Sequence, residues 1–600
     1  MLLAQSAAAL RAGDLGRAET GLKQILQEAA DHPVALFMMG MISAERAEWP
    51  SAERQFRQAL ASAPDRPEIC LNLAYVLRAQ HRPSEAIAYC QAVLTAAPGR
   101  TDALLELGKA QQQMGELAHA ESSFRQIFGR TVDSWGEISL AELFNQAGKA
   151  EAADALLRPI AEKGDRSAEA QIALELQLGR ALKAQRRHDE ALSRLNRATV
   201  LGGNRDVMLE CANVLQHLGR LDEAASVLQT WLDRTPDDMT AHLLLNEIHY
   251  RQHQDDKFLT SYESAAAKRP DLPHLLATKG HYLLKVGRGA QAVEVYERVL
   301  RAAPEDADAL SGLARALETV GEIEQSRRRY QTCLARYSGN GEILESYAGF
   351  LLRQGEAKEA QQLSEKAIAA RPLSQGAYAL LSLCYRAQND AREELLNNYE
   401  QFIQIMDLDP PDGFGDMQTF NRELDAYLAS VHPANEGDYF TQTARGGSRI
   451  NDEMFFNGHR LVDLLQPRIA AAIRHYALAL KAPGDHPFVS RRRRGFSYAG
   501  SWSSRLADCG YHVNHIHQKG WISACYYVGL PDVVTEGKDR QGWIKFGEPP
   551  VEFGPNFALR RAIQPRPGRL VLFPSYMWHG TEPFRAPQAR TTIAFDVAPA

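Results

Sequence analysis

Three histidines carry the chemistry this sequence offers. His515 and His517 stand two apart in GYHVNHIHQKGWISACYYVGLPD, and His579 closes an apolar run in GRLVLFPSYMWHGTEPF, 62 residues after His517. Residues two apart on a strand or strand end share a face. His515 and His517 are therefore predicted to point to one side, and His512, of opposite parity, to face away. Two imidazoles from one strand end and a third from a distant strand can occupy one face of a metal ion and leave its other positions open. An open, nitrogen-rich face suits oxygen and a chelating co-substrate.

Such a site needs a β framework to hold it. From Gly495 onward FSYAGSWSSRL, WISACYYVGL, GWIKFG, GRLVLFPSY and TTIAFDVA are short β-branched or aromatic runs separated by Gly, Pro and Asp. Ahead of them, RLVDLLQPRIAAAIRHYALAL predicts one or two amphipathic helices that buttress a sheet. Helices followed by many strands point to an α+β unit built around a small barrel. Trp502 and Trp521 read as core aromatics, either able to wall a pocket, and the run Arg491–Arg494 reads as a solvated face.

The rest of the chain is repetitive. The small residues Gly40, Ala74 and Gly108 lie 34 apart, and Ala212, Asn246, Gly280, Ala314, Ala348 and Ser382 keep the same step. Twelve positions after an anchor comes a second, usually small residue (Ala52, Ala86, Ala120, Ala224, Ala292, Ser326, Ala360), Phe258 being an exception. Four further on stands a larger side chain such as Phe56, Phe124, Leu228, Tyr296 or Tyr330, and most units close on a proline. Two less regular units are anchored near Ala141 and Gly179. Small residues let paired helices approach, the large one fills the groove beside them, and proline stops the second helix. No such unit buries its apolar face alone, so neighbours must stack. Asn246, in place of a small anchor, offers either a peptide-binding group or a loosely packed unit. After the repeats, DLDPPDGFGD has two prolines and two glycines and reads as a turn-rich linker.

Bulk properties narrow the class. The chain has 600 residues, 45% hydrophobic and 24% charged, which suits a multidomain globular protein. A net charge of −6 makes no electrostatic case for an obligatory nucleic-acid partner. Seven scattered cysteines without CxxC pairs fit a reducing compartment. The first residues read as an amphipathic helix and no apolar stretch reaches the roughly 18 residues of a membrane span. The expected location is cytoplasmic, with no membrane association.

The repeat signature resembles tetratricopeptide repeats. The order HxH, a strand ending Tyr-Tyr, PGRLVLFPS..WH and RTTIAFD resembles the double-stranded β-helix 2-oxoglutarate/iron(II) dioxygenases, prolyl hydroxylases among them. It is most similar to the bacterial oxygenase domains often fused to such repeats. The fold implied is an all-α tetratricopeptide superhelix of about ten repeats over residues 1–400, a linker at 401–420, and an α+β double-stranded β-helix (jelly-roll) domain over 421–600. The resemblance implies His515, His517 and His579 as metal ligands, with Fe(II), 2-oxoglutarate and O2 as cofactor and co-substrates. It also implies that Arg590, eleven after His579, takes the distal carboxylate of 2-oxoglutarate and that Tyr527 shares it. A guanidinium suits bidentate capture of a carboxylate. The activity implied is a hydroxylation, and the repeats imply a protein or peptide partner.

One residue departs from the family pattern. The dioxygenases usually carry HxD or HxE, whereas the middle position here is His517. Either three neutral imidazoles hold the metal, or a carboxylate comes from elsewhere, such as Asp508 or Glu552. Two other readings stay open: a repeat scaffold with a degenerate barrel, and a cupin-type three-histidine enzyme that does not use 2-oxoglutarate. Arg590 speaks against the second, because a metal-only site needs no such anchor.

Overall fold

The computed structural model describes residues 1–163, 166–432, 439–450, 454–456, 458–481, 485–493 and 495–600. It divides into two compact units, Met1–Val214 and Leu215–Ala600. The first is built of antiparallel helix pairs such as Pro33–Glu45 with Trp49–Ser62 and Pro67–Ala79 with Pro83–Ala96. Proline at the first turn starts each of these four helices, where its missing N–H costs nothing. The 34-residue anchors do what their size implies. A Cβ on Gly40 would come within 2.5 Å of the Phe56 ring, and one on Gly108 within 2.4 Å of Phe124. Each large residue thus fills the space its glycine leaves open.

The second unit continues the pairs and adds the β domain. Its irregular repeat has a local cause. Asn246 is fully buried, donates to the His242 carbonyl and Ser261 Oγ at 2.8 Å each, and accepts from Leu259 N–H at 2.5 Å. Its polar atoms are consumed inside the repeat, so neither a peptide-binding role nor loose packing describes it. The following helix starts late, at Thr260, which leaves Phe258 in the connecting turn rather than at a helix contact.

Among the described residues nine strands follow the last repeats: β1 (Gln404–Asp407), β2 (Ala444–Ile450), β3 (Phe496–His512), β4 (Ile522–Gly529), β5 (Ile544–Phe546), β6 (Arg561–Ile563), β7 (Arg569–Pro574), β8 (His579–Thr581) and β9 (Arg590–Pro599). They form a six-stranded sheet in the order β1-β7-β4-β9-β3-β2 and a three-stranded sheet β6-β5-β8, antiparallel throughout. One helix, Arg460–Ala479, runs through Pro467 where one or two were expected. With the helix Met417–Val431 it covers one face of the large sheet, Phe420, Leu424, Ile469 and Ile473 sharing a core with Ile522, Ala524 and Tyr526. Trp521 lies in that core and donates to the Phe488 carbonyl at 2.7 Å. Arg492 and Arg493 are exposed, Arg491 is half-buried, and Arg494 lies outside the described residues.

The linker expected at 401–420 is in part a strand. β1 pairs with β7 from Gln404↔Leu572 to Asp407↔Arg569, and Asp407 also takes the Arg569 guanidinium at 2.7 Å. Four residues beside a proline pair are too few for a periodic signal, so only the partner strand reveals them. Repeats and barrel also share a core: Ala379, Leu381, Tyr385 and Leu396 belong to the same cluster as Ile522 and Leu570. Arg386 donates to the Gly547 and Ala558 carbonyls, and Tyr576 Oη to the Leu396 carbonyl at 2.7 Å. Among the described residues, no helix is long and apolar enough to cross a membrane.

A second attachment lies at Phe440, whose ring packs against Tyr250, Phe258 and Tyr282 with centroids 5.1–5.4 Å away. Beside it the Thr441 hydroxyl donates to Glu247, a carboxylate otherwise buried, with Oε2 unpartnered. Burial pushes the Glu247 carboxyl up to about 7. The folded state therefore holds this proton more tightly than the unfolded chain, and its stabilising effect is full below about pH 4.5 and lost as pH rises through 7. Glu247→Gln should melt higher than the native chain at pH 8, with the gap closing by pH 5. Calorimetry of both proteins across this range checks it, and a constant gap would contradict it.

Candidate metal centre and co-substrate pocket

The site lies on the face of the large sheet opposite the buttressing helices. Alternation along β4 sends Ile522, Ala524 and Tyr526 to the helices and Ser523, Cys525 and Tyr527 to the other side. In the register, Ser523 faces Asp596, Cys525 faces Ala594 and Tyr527 faces Thr592, so Arg590, Thr592, Ala594 and Asp596 of β9 share that second face. The sheet interior is thus a polar strip, with Ser523 and Asp596 at one end and Tyr527 and Arg590 at the other.

The three histidines meet at the first end. His515 and His579 form a bridge in which each backbone N–H donates to the other's carbonyl, at 2.8 and 3.0 Å, and His517 N–H donates to the Ser575 carbonyl at 3.0 Å. One ligand atom from each ring lies within 4.8 Å of the others. The tautomers follow from partners that can only accept. His515 Nδ1 donates to the Val513 carbonyl at 2.7 Å, His579 Nδ1 to the Met577 carbonyl at 2.9 Å, and His517 Nδ1 to Asp596 Oδ1 at 2.5 Å. All three Nε2 atoms then carry lone pairs, and those of His515 and His517 stand only 3.1 Å apart. Burial, reinforced by the neighbouring imidazole of His517, pulls the pKa of His515 down to about 3, and burial, reinforced by the neighbouring imidazole of His515, holds His579 well below its ordinary value. Both rings are therefore neutral and ready to bind a cation.

Sequence reasoning missed Asp596. It accepts from His517 and, at 2.6 Å, from Ser523 Oγ, which bonds in turn to Ser575 Oγ at 2.9 Å. Six residues after Arg590, and so on the same strand face, it was findable by parity within RTTIAFDV. The carboxylates expected as alternatives stand elsewhere. Asp508 Oδ1 accepts from Ala586 N–H at 3.0 Å, and Glu552 takes the Arg315 guanidinium at 2.9 Å. Neither joins the histidines. His512 is not turned away either: β3 ends there and a bend at 513–514 breaks the alternation. Its ring lies 6.5 Å from that of His515, and its Nδ1 is 3.2 Å from Thr581 Oγ1.

Aromatic and cationic groups wall the centre. Trp502 is half-buried with its ring 5.4 Å from that of His517, so it walls the site while Trp521 does not. Arg449 stacks on Trp502 at 4.2 Å, and burial draws its pKa down to about 10. Phe573 covers His579 at 4.6 Å.

At the far end of the strip Arg590 is 1% exposed, and its Nε donates to the Gly542 carbonyl at 3.0 Å. No carboxylate pairs with it among the described residues. Its guanidinium lies 5.2 Å from the centre of the Tyr527 ring, and the buried Tyr527 hydroxyl has no hydrogen-bond partner. Burial keeps that hydroxyl protonated well above the ordinary range. A buried cation and an unsatisfied donor side by side are costly unless an anion completes them. The residues present thus fit both groups that the fold family implies, a divalent metal at the histidines and a carboxylate at Arg590 and Tyr527.

The family described as "Putative 2OG-Fe(II) oxygenase" matches residues 500–596. Tetratricopeptide-repeat families match residues 37–101 and residues 77–136, 182–248 and 283–348. Two curated relatives are named cellulose synthase operon protein C. That of Xanthomonas axonopodis pv. citri is 25% identical over 65% of this chain and 26% of its own length; that of Pseudomonas fluorescens is 24% identical over 62% and 34%. The chain spans about a quarter to a third of the length of these relatives. Among solved structures, a tetratricopeptide repeat protein from Parabacteroides merdae is similar at 16% identity and a TM-score of 0.33, over 41% of this chain and 96% of its own. Yeast Tom70 is similar at 14% identity and a TM-score of 0.27, over 60% and 96%. The chain carries tetratricopeptide repeats followed by a domain of the 2OG-Fe(II) oxygenase family.

Proposed function

We propose that this domain is a 2-oxoglutarate- and iron(II)-dependent dioxygenase, a hydroxylase in outcome, and that the repeats bring it a protein or peptide. The observation that carries the reading is the convergence of three Nε2 lone pairs at one end of a buried polar strip whose other end holds an arginine without a carboxylate partner among the described residues. Lone pairs this close repel unless a cation lies among them. Bound iron with 2-oxoglutarate and O2 would supply the oxidising chemistry, the co-substrate losing CO2 to become succinate while one oxygen atom enters the primary substrate.

Each residue then has a physical task. His515, His517 and His579 hold iron(II) as neutral donors, a ligand type that suits iron. Asp596 accepts a hydrogen bond from His517 Nδ1–H, fixes its ring and places one negative charge behind a ligand set that has none. Such carboxylate–histidine pairs tune both geometry and ligand basicity. Arg590 and Tyr527 anchor the distal carboxylate of 2-oxoglutarate, and Phe573 keeps water from the flank of His579. The Arg590–Tyr527 pair favours this reading over a three-histidine enzyme without 2-oxoglutarate.

The deciding assay loads the protein with iron(II) anaerobically, adds 2-oxoglutarate and air, and measures succinate with and without cell extract. Succinate is expected from the native chain and none from His579→Ala, which should also lose stoichiometric iron while its circular dichroism is kept. Arg590→Ala should weaken 2-oxoglutarate binding about ten- to a hundredfold, the worth of a charge-assisted pair, with little change in iron affinity. Titration calorimetry reads both, and unchanged affinity would move the anchor elsewhere. Asp596→Asn should lower iron affinity about ten- to a hundredfold, as lost supporting carboxylates do. Equal affinity in that variant would mean that His517 is oriented without it.

A further inference from the structure

The histidine-bearing segments have a second side. Ile516, Gln518 and Trp578 alternate with His515, His517 and His579, and together they line an open cavity of about 320 Å3 against the repeats of the second unit. From the repeats, Tyr330, Glu345 and Gly376 complete the wall. Nothing in the proposed oxygenase chemistry uses this space.

Its charges do not balance. Arg315 and Arg353 border it but are saturated. Arg315 bonds Glu318 at 2.7 Å and Glu552 at 2.9 Å, and Arg353 bonds Glu318 at 2.6 Å. Two cations and two carboxylates cancel. Glu345 is left over: its hydrogen bond is to the Ser374 hydroxyl at 2.6 Å, and Arg371, whose charge reaches it, is engaged by Glu342 at 3.1 Å. Burial pushes the Glu345 carboxyl above its ordinary value, as expected of an anion without a counter-ion. Its Oε1 lies over the backbone of Gly376, where a Cβ would come within 1.8 Å of it, and the Gln518 amide is 3.2 Å from the same point. Independently, the Tyr330 hydroxyl is fully buried at the wall with no hydrogen-bond partner. Trp578 is held in place by its Nε1 donating to the Ala379 carbonyl at 3.2 Å.

We propose that this cavity binds an arginine side chain of a polypeptide carried by the repeats, with Glu345 and the Tyr330 hydroxyl accepting its N–H groups and Trp578 meeting its planar face. A guanidinium is the cation whose flat, multidentate form matches a carboxylate beside an aromatic wall. The occupant would sit directly behind the histidine-bearing backbone, so recruitment and the centre share the same two segments. This deepens the recruitment reading, yet the binding needs no iron, so its failure is separable from failure of the oxygenase.

The test uses the full chain without metal and blocked ten-residue peptides of glycine and serine with one central arginine, citrulline, lysine or glutamate. Calorimetry should find the arginine peptide bound about tenfold or more tighter than the other three, as a charge-assisted pair requires. Glu345→Gln should abolish that preference with circular dichroism unchanged, while Glu324→Gln, an exposed carboxylate on the helix that carries Tyr330, should keep it. Tyr330→Phe, which retains the packed ring, should weaken the arginine peptide alone. No binding, equal binding of arginine and citrulline, or a preference kept in Glu345→Gln would overturn the proposal. So would lysine equal to arginine, or glutamate bound best.

Discussion

Three imidazole lone pairs brought within 4.8 Å of one another repel, and each ring must be prevented from turning away. The chain does this almost wholly with backbone. The carbonyls of Val513 and Met577 hold two Nδ1 protons, and the reciprocal bridge between His515 and His579 holds the segments that carry them. Only His517 relies on a side chain, Asp596, and that carboxylate is placed by the β4–β9 register. A slip of one residue in that pairing would turn Asp596 and Arg590 together to the helix-covered face. The register of one strand pair therefore governs both ends of the site.

Burial makes the strip selective. Most of its polar atoms satisfy one another: Ser523, Ser575, Asp596 and His517 form one connected set. The Tyr527 hydroxyl has no partner and Arg590 no carboxylate among the described residues, and a buried group left unsatisfied costs about 1–3 kcal/mol, more when charged. Native proteins tolerate such orphans chiefly where a ligand completes them. The same logic marks Tyr330 and Glu345 on the other side of the histidine segments, where the groups left over have the opposite chemical character, acceptors rather than a cation.

The repeats of the second unit are part of this support. Trp578, next to His579, is tied to Ala379, and Tyr576 to Leu396, both on repeat helices that share the core of the large sheet. Loosening that core would reach the histidine-bearing segments through one or two residues, which is why β1 and the last repeats cannot act as a free tether. Phe440, seated among Tyr250, Phe258 and Tyr282, attaches the segment leading to β2 to the same repeats.

The repeats, the β texture and the trio of histidines were legible from residue type and spacing, whereas Arg590 and Tyr527 were singled out by the family resemblance. Each of the first three rests on a local rule: a 34-residue period, alternation on a strand, or a small residue facing a large one, as Gly40 faces Phe56. What stayed hidden depends on partners far away in the chain. β1 exists because β7 pairs with it, Asp596 supports His517 because β4 sets its register, and Asn246 is an internal clamp because Leu259 and Ser261 turn back onto it. Asp508 and Glu552 were plausible by type alone, and only their distant hydrogen-bond partners removed them from the site. Spacing along the chain determined which side chains share a face, while the tertiary structure decided which faces meet, because strand register and helix docking are set by long-range burial that no short window of sequence contains.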